Sequence, residues 1–449
     1  MKISLAPARP KNIPLIRLVE GGERASPYDL VIGNRREMTR RRLTVTIRKV
    51  IARAKELGLR KIAIRLNDFV FPHLAISRQD LAEHIAVNCL LANYEFVYYK
   101  TRPKEGWHTV QEAVVIEKGS DKEVKESIRR GIMIGNEINE CRTLGNTRAA
   151  DLTPARLAEA ATQAALGTSI TIEILGKKEM EKLMMGGVLA VAKGSVEEPR
   201  FIIMKYLGGG SEQPIVLIGK AVTFDSGGMN LKRDDYIAEM HLDMLGGAAV
   251  IHAIVLAAKM KLKKNIIALI PAVENMVSGA SMHPGDIVRT MSGTTIEVLN
   301  TDAEGRIILA DALTYAERFH PRLVIDVATL TSAAVVALGQ MISALFTDDD
   351  DLAERILKLG QDSGDYFWRL PLWEEYRYLI KSDFADISAN RARWGAAIAA
   401  ALFLKTFVRK YPWAHLDIAP RIWTSEGECL AKGASGTPIR LLIRLLEQY

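Results

Sequence analysis

From about residue 170 onward, short apolar runs of strand type alternate with stretches of helical period, and this alternation constrains the chain more than any other feature. Residues 170–175, 201–206, 215–218, 266–270, 295–298 and 323–327 read as strands, while 247–261, 306–318 and 351–359 carry apolar residues at helical spacing. Strands separated by helices favour a mostly parallel sheet covered on both faces. The first 120 residues repeat the theme on a smaller scale. Strands are expected at 61–66 and 113–116 and helices at 44–57 and 79–93. Residues 121–141 read as one continuous helix rich in Glu, Lys and Arg. After the turn residues 146–154, Thr153 suits the N-cap and Pro154 the first position of a new helix. A chain of 449 residues is too long for one ordinary core. The expected fold class is therefore α/β: a small N-terminal α/β domain (1–120), a linking helix (121–142) and a larger catalytic α/β domain (143–449) with a mostly parallel central sheet.

Bulk properties exclude several classes. Hydrophobic residues at 48% and charged residues at 25% give the balance of a soluble globular protein. No apolar run reaches bilayer-spanning length, and residues 1–17 lack a signal-type core, so a cytoplasmic protein without a membrane partner is expected. Cys89, Cys141 and Cys429 are scattered, which argues against a disulfide framework or a Cys-rich zinc site. The histidines are equally dispersed, with no HExxH, so histidine is not the main ligand of any metal here. The net charge of +7 gathers partly in Arg35-Arg36 and Arg40-Arg41-Arg42, which permits a nucleic-acid partner. Aromatic residues do not interleave with those clusters, so a solvated helix face or an oligomer contact is the preferred reading.

Polar segments follow three of the expected strands, where ligands bind in open α/β sheets. Strand 215–218 runs into Gly219-Lys220-Ala221-Val222-Thr223-Phe224-Asp225-Ser226-Gly227-Gly228, strand 295–298 into Asn300-Thr301-Asp302-Ala303-Glu304-Gly305-Arg306, and strand 323–327 into Ala328-Thr329-Leu330-Thr331. Asp243 and Lys232 complete the set. Taken singly, each fragment is ordinary: a turn, a solvated helix start, a surface lysine. Together they bring four carboxylates to one sheet edge, where they would repel one another without intervening positive charge. Hard divalent ions such as Mg²⁺ or Mn²⁺ suit such a site, and Zn²⁺ is also compatible. Asp302 and Glu304, two apart, would point to the same side of an extended strand exit. The residues themselves lead to a metal-dependent enzyme, with a hydrolase favoured.

These two motifs resemble the signatures of the leucyl aminopeptidase (cytosol aminopeptidase) family. Supporting stretches are Glu274-Asn275-Met276 with Pro284-Gly285-Asp286, Ala328–Thr331, and Trp413 to Ala419. The resemblance is close from about residue 143 to the end and general before 120. It implies a homohexamer built as a dimer of trimers, acting on peptides with a free N-terminus. It also implies two metal ions, Mn²⁺ or Zn²⁺, with Mg²⁺ an alternative at one site. One ion would be held by Asp225, Asp302 and Glu304, the other by Lys220 as a neutral amine, Asp225, Asp243 and Glu304. A water between the ions would attack the scissile carbonyl, which Lys232 would help polarise, and Arg306 would hold a bicarbonate acting as general base. The backbone at Leu330 would position the peptide, and Met240, Thr329 and Ala434 would line the pocket for its first side chain. Four departures stand out: Ala221 where Gly is common, Ala434 where some relatives have Met, Arg148 where Pro is common, and the stretch Asn390 to Gly395. Two other functions remain as alternatives, a two-metal phosphohydrolase clamped by Lys220, Lys232 and Arg306, and a DNA-binding protein using the basic N-terminal clusters.

Overall fold

Strand Ile215–Gly219 is buried at all five positions, as a strand covered on both faces must be. It lies at the middle of a mixed, mostly parallel sheet that has nine strands among the described residues of the computed structural model. Those residues are 1–21, 26–118, 122–389 and 392–449. The strand order is Phe367–Arg369, Ser343–Phe346, Trp413–Asp417, Leu323–Ala328, Ile215–Gly219, Asn265–Asn275, Arg200–Leu207 and Thr171–Leu175, with Ala221–Asp225 pairing on the far half of Asn265–Asn275. The four strands from Trp413–Asp417 to Asn265–Asn275 run parallel, and antiparallel pairings appear toward both edges.

Helices cover both faces. Helix Leu245–Lys259 packs on Ile215–Gly219, Asn265–Asn275 and Leu323–Ala328 and is buried from Leu245 to Ala258. Against the expectation that no apolar run reaches bilayer-spanning length, the stretch Tyr236–Lys259 that contains it is long and apolar enough, but it is a core element here, almost wholly buried. On the opposite face, Ile307, Ile308, Leu309 and Leu313 of helix Glu304–Ala316 join Val216, Ile218, Ile267 and Leu269 in one apolar cluster. Fully burying each such aliphatic side chain contributes about 1.5–3 kcal/mol, so these two layers dominate the stability of the sheet.

Clustering of the chain separates two units, Met1–Glu140 with Thr424–Lys432, and Cys141–Trp423 with Gly433–Tyr449. The first has a parallel three-stranded sheet in the order Lys2–Ala6, Glu112–Ile116, Lys61–Arg65, with helices Arg40–Glu56 and Arg78–Asn93. Within it Arg48, nearly buried, donates to Asn88 at 2.9 Å and to the Glu428 carbonyl at 3.3 Å, which ties down the segment Thr424–Lys432. Helix Lys122–Asn146 begins in this unit. Asp121, where that helix was expected to start, lies outside the described residues, as do Asn390 and Arg391 of the departing stretch. Thr153 caps helix Pro154–Ala164 by accepting from the Arg156 amide, with Pro154 in its first turn, as its sequence requires.

One strand departs from expectation. Thr295–Glu297 does not belong to the central sheet; it sits in a separate three-stranded sheet between Ile287–Arg289 and Ile387–Ser388. At three residues it is too short to carry a pattern that tells one sheet from another.

Candidate metal centre

Lys220 stands where one strand ends and another begins. Ile215–Gly219 pairs on both sides, whereas among the described residues Ala221–Asp225 pairs only with Asn265–Asn275, shifted by an irregularity at Val273/Glu274. The Lys220 amide donates to the Val327 carbonyl at 3.0 Å, and its own carbonyl accepts from Gly247 at 2.7 Å. The backbone is thus pinned on both sides while the side chain runs, buried, to the end of the sheet. The shift sets Asp225 opposite Asn275, whose Nδ2 donates to Asp225 Oδ1 at 2.8 Å. Gly227 follows with φ +87°, and a Cβ there would lie 2.5 Å from the Asn230 carbonyl oxygen, so only glycine fits. The Thr301 hydroxyl fastens this turn to the second motif, donating to the Gly227 carbonyl at 2.6 Å and accepting from the Asn230 amide at 2.9 Å.

Asp302 and Glu304 converge, but not on an extended strand exit. Thr301–Ala303 is a 3₁₀ turn capped by Asn300, and Glu304 opens helix Glu304–Ala316. Asp302 has ψ 16°, a kink that separates the two helical segments and turns both carboxylates to the same side. Gly305 lets the helix close on Lys220, since a Cβ there would stand 2.5 Å from Lys220 Cε.

Two lysines bind the four acids together. Lys220 Nζ lies 2.7 Å from Asp243 Oδ1, 2.9 Å from Glu304 Oε1 and 2.8 Å from the Thr329 carbonyl. Lys232 Nζ lies 2.7 Å from Asp225 Oδ2 and also pairs with Asp302. Burial alone would depress both lysines, but the surrounding carboxylates outweigh it and raise them. Burial, then Glu304 and Asp225, pushes Asp302 up to about 7, and burial likewise raises Asp225 and Asp243. Glu304 goes the other way, to about 2, because Lys220 and Lys232 overcome the penalty of burial. Burial is the main cause for the three raised carboxylates, and repulsion from neighbouring acids adds to it.

The residues present fit a divalent cation. Asp225, Asp302 and Glu304 each bring an oxygen within 4.8 Å of the others. Asp243 Oδ2 and Glu304 Oε2 are buried without a hydrogen-bond partner. An oxygen-rich donor set of this kind suits hard or borderline divalent ions. A cation drawn to the same carboxylates would weaken their hold on the Lys220 proton and favour its neutral amine. Arg306, on the same helix turn, is buried with Nε and Nη1 unpartnered, and burial lowers it to about 10, so it stays charged at neutral pH.

The remaining expected residues border this cluster unequally. Thr329 is buried, and its hydroxyl donates to Asp243 Oδ1 at 2.6 Å; Leu330 and Met240 are half-buried. Ala434 is fully enclosed, its amide donating to Asn146 at 2.8 Å and its carbonyl accepting from Arg142 at 3.0 Å. Trp423 pairs with Ala434 in an isolated bridge and donates to Glu239, next to Met240. Arg148 contacts the His241 ring at 2.9 Å; burial and that guanidinium together lower His241 to about 4. Ala221 is fully buried in its strand. Sequence reasoning did not single out Asn275, Thr301 and Asp417. All three lie inside stretches quoted for the resemblance, and for Asn275 and Asp417 a polar residue at the last position of a strand is the signal that could have found them.

Comparison with known proteins points the same way. The family model described as "Cytosol aminopeptidase family, catalytic domain" matches residues 139–443. A probable cytosol aminopeptidase of Roseiflexus castenholzii is 43% identical over 403 residues, covering 88% of this chain and 82% of that protein. One from an Azoarcus species is 50% identical over 325 residues, covering 72% of this chain and 64% of its own length. Among solved structures, the bottromycin maturation enzyme BotP in complex with Mn superposes with a TM-score of 0.84 at 33% identity, covering 94% of this chain and 90% of that one.

Proposed function

The chain belongs to the cytosol aminopeptidase family and is a metal-dependent aminopeptidase; from that premise we propose that it removes N-terminal residues, leucine and other mainly apolar ones, with two divalent cations held by Lys220, Asp225, Asp243, Asp302 and Glu304. The observation that carries the two-ion reading is the number of donors. Three carboxylates already lie within reach of one ion, while Asp243 and Glu304 each keep a further oxygen buried and unpartnered. We assign Mn²⁺ or Zn²⁺, with Mg²⁺ an alternative at one position. Bound ions would supply Lewis acidity and lower the pKa of a water.

Each protein group then has a task. Lys232 pairs with Asp225 and Asp302 beside the cluster, and as an ammonium it can donate to the oxygen of a carbonyl under attack. Arg306 offers two unpartnered donors to a small anion, and bicarbonate held there would take the proton of the attacking water. The turn at Leu330 presents its backbone to the peptide. Met240 and Thr329 border the first side chain, with Ala434 behind them. Peptides with a free N-terminus are the partners we assign.

We further assign a cytoplasmic homohexamer. Trp368, Trp373, Tyr378, Phe384 and Trp394 are each more than half exposed, and large aromatic side chains of this kind are suited to subunit contacts. Light scattering at six times the 49.7 kDa chain mass would support the assembly, and a monomer would refute it. For the chemistry, Glu304→Ala and Lys232→Ala should each cut kcat on a leucyl chromogenic amide by about 10²-fold or more while the fold persists. Near-wild-type turnover in either variant would sink the assigned roles.

A further inference from the structure

We propose that Asp417 is a positioning residue of the catalytic centre: its carboxylate clamps the Thr329–Thr331 turn and, through that turn, fixes Lys220 and Asp243. The inference rests on the reading of Lys220 and Asp243 as metal-holding groups. Asp417 ends strand Trp413–Asp417, in register with Ala328, the last residue of the neighbouring parallel strand. Its side chain therefore stands beside the turn that leaves that strand.

The carboxylate is fully buried and meets four donors. Oδ1 accepts from the amides of Leu330 at 3.1 Å, Thr331 at 3.4 Å and Ala419 at 3.1 Å, and Oδ2 from the Thr331 hydroxyl at 2.6 Å. A buried carboxylate with so many converging donors holds those donors in place, because losing any of them would leave charge unsolvated. The Thr331 hydroxyl also accepts from the Ala334 amide at 3.1 Å and so fixes the start of helix Ser332–Leu338.

The other side of the same turn touches the centre. The Thr329 carbonyl accepts from Lys220 Nζ at 2.8 Å, and the Thr329 hydroxyl donates to Asp243 Oδ1 at 2.6 Å. Leu330 and Thr331 are gripped from behind while Thr329, one residue earlier, grips two of the proposed metal-holding side chains. The clamp thus sets where the Lys220 nitrogen and the open Asp243 oxygen point. The negative charge of Asp417 also favours the charged form of buried Arg306, which links the clamp to the proposed anion position.

A residue that only braced the fold would change melting temperature and nothing else. Three readouts separate the two roles: hydrogen exchange of the Leu330 and Thr331 amides, Mn²⁺ affinity by calorimetry, and kcat against KM on a leucyl chromogenic amide. Asp417→Ala should unprotect both amides, weaken Mn²⁺ binding about 10–100-fold and lower kcat about 100-fold, with a smaller change in KM. Asp417→Asn keeps an oxygen for the amides and should fall between wild type and Asp417→Ala. Should Asp417→Ala fail to fold, Thr331→Val keeps the three amide donors to Asp417, removes the Oδ2 donor together with the cap on the Ala334 amide, and should still weaken Mn²⁺ binding several-fold. Variants that melt earlier yet keep wild-type Mn²⁺ affinity and kcat would overturn the proposal. Wild-type protein that binds no Mn²⁺ would overturn the reading of the centre and this role with it. Wild type that binds Mn²⁺ but cleaves no aminoacyl amide would overturn the peptidase assignment alone, and affinity and exchange would still decide the role of Asp417.

Discussion

Gly305→Ala sets two physical effects against each other. Gly305 is the second residue of helix Glu304–Ala316, where alanine is ordinarily the better helix former by up to about 1 kcal/mol. Propensity alone predicts a more stable protein. The new methyl, however, would start 2.5 Å from Lys220 Cε and 2.8 Å from its Nζ. Carbon atoms settle at about 3.5 Å or more, so something must move by about 1 Å. The lysine is buried and held by Asp243, Glu304 and the Thr329 carbonyl at 2.7–2.9 Å. Adding about 1 Å to those contacts carries them past the usual hydrogen-bond limit of about 3.2 Å. Overpacking should cost about 1–3 kcal/mol, which exceeds or at least cancels the helical gain. Displacing Lys220 and Glu304 together should lower kcat/KM about 10²-fold. Melting curves and hydrolysis of a leucyl chromogenic amide measure both. A variant that melts higher than wild type and keeps its activity would refute the close packing of Gly305 on Lys220.

Two further tests probe the supports of the site and the core behind it. Thr301→Val strands the Gly227 carbonyl and the Asn230 amide, so it should destabilise the protein by about 1–3 kcal/mol and weaken Mn²⁺ binding; unchanged denaturant midpoint and affinity would contradict the fastening role of that hydroxyl. Asp311 is fully buried beside the amides of Met291, Val188 and Gly187, and burial pushes it up to about 7 despite those donors. Its folded form holds a proton that the unfolded chain releases at about 3.9, so the stability it contributes is present below about pH 4 and is lost as pH rises to about 7. Melting temperatures of Asp311→Asn should lack this component, and a variant with the same pH profile as wild type over that interval would count against it.

The centre was legible to the extent that its residues sit next to one another in sequence. Lys220 and Asp225 share one motif and Asp302, Glu304 and Arg306 another, so both could be read as units. Their backbone could not. Residues 221–225 were read only as part of the polar segment after strand 215–218, because four of the five are buried and no in–out alternation marks them as a strand. Asp302 and Glu304 were expected to align on an extended segment, whereas a 3₁₀ turn kinked at Asp302 brings them together. A single ψ angle decides that, and no residue pattern encodes it. Asp417 and Asn275 act on partners 50 or more positions away, at 87 residues from Leu330 and 50 from Asp225, so their roles exist only once the strands are paired. The segment Thr424–Lys432 joins the N-terminal unit for the same kind of reason, through Arg48 and Glu428, and nothing local in its sequence announces it.

We propose that five side chains at the end of the sheet hold two ions which the hydrolysis requires. Calorimetric titration of metal-stripped protein with Mn²⁺, with hydrolysis of a leucyl chromogenic amide followed in the same samples, tests it most directly. Two Mn²⁺ per chain, no cleavage before addition, and full activity only as the second position fills are expected. Binding of a single ion with full activity, or cleavage that persists after the metal is removed, would contradict it.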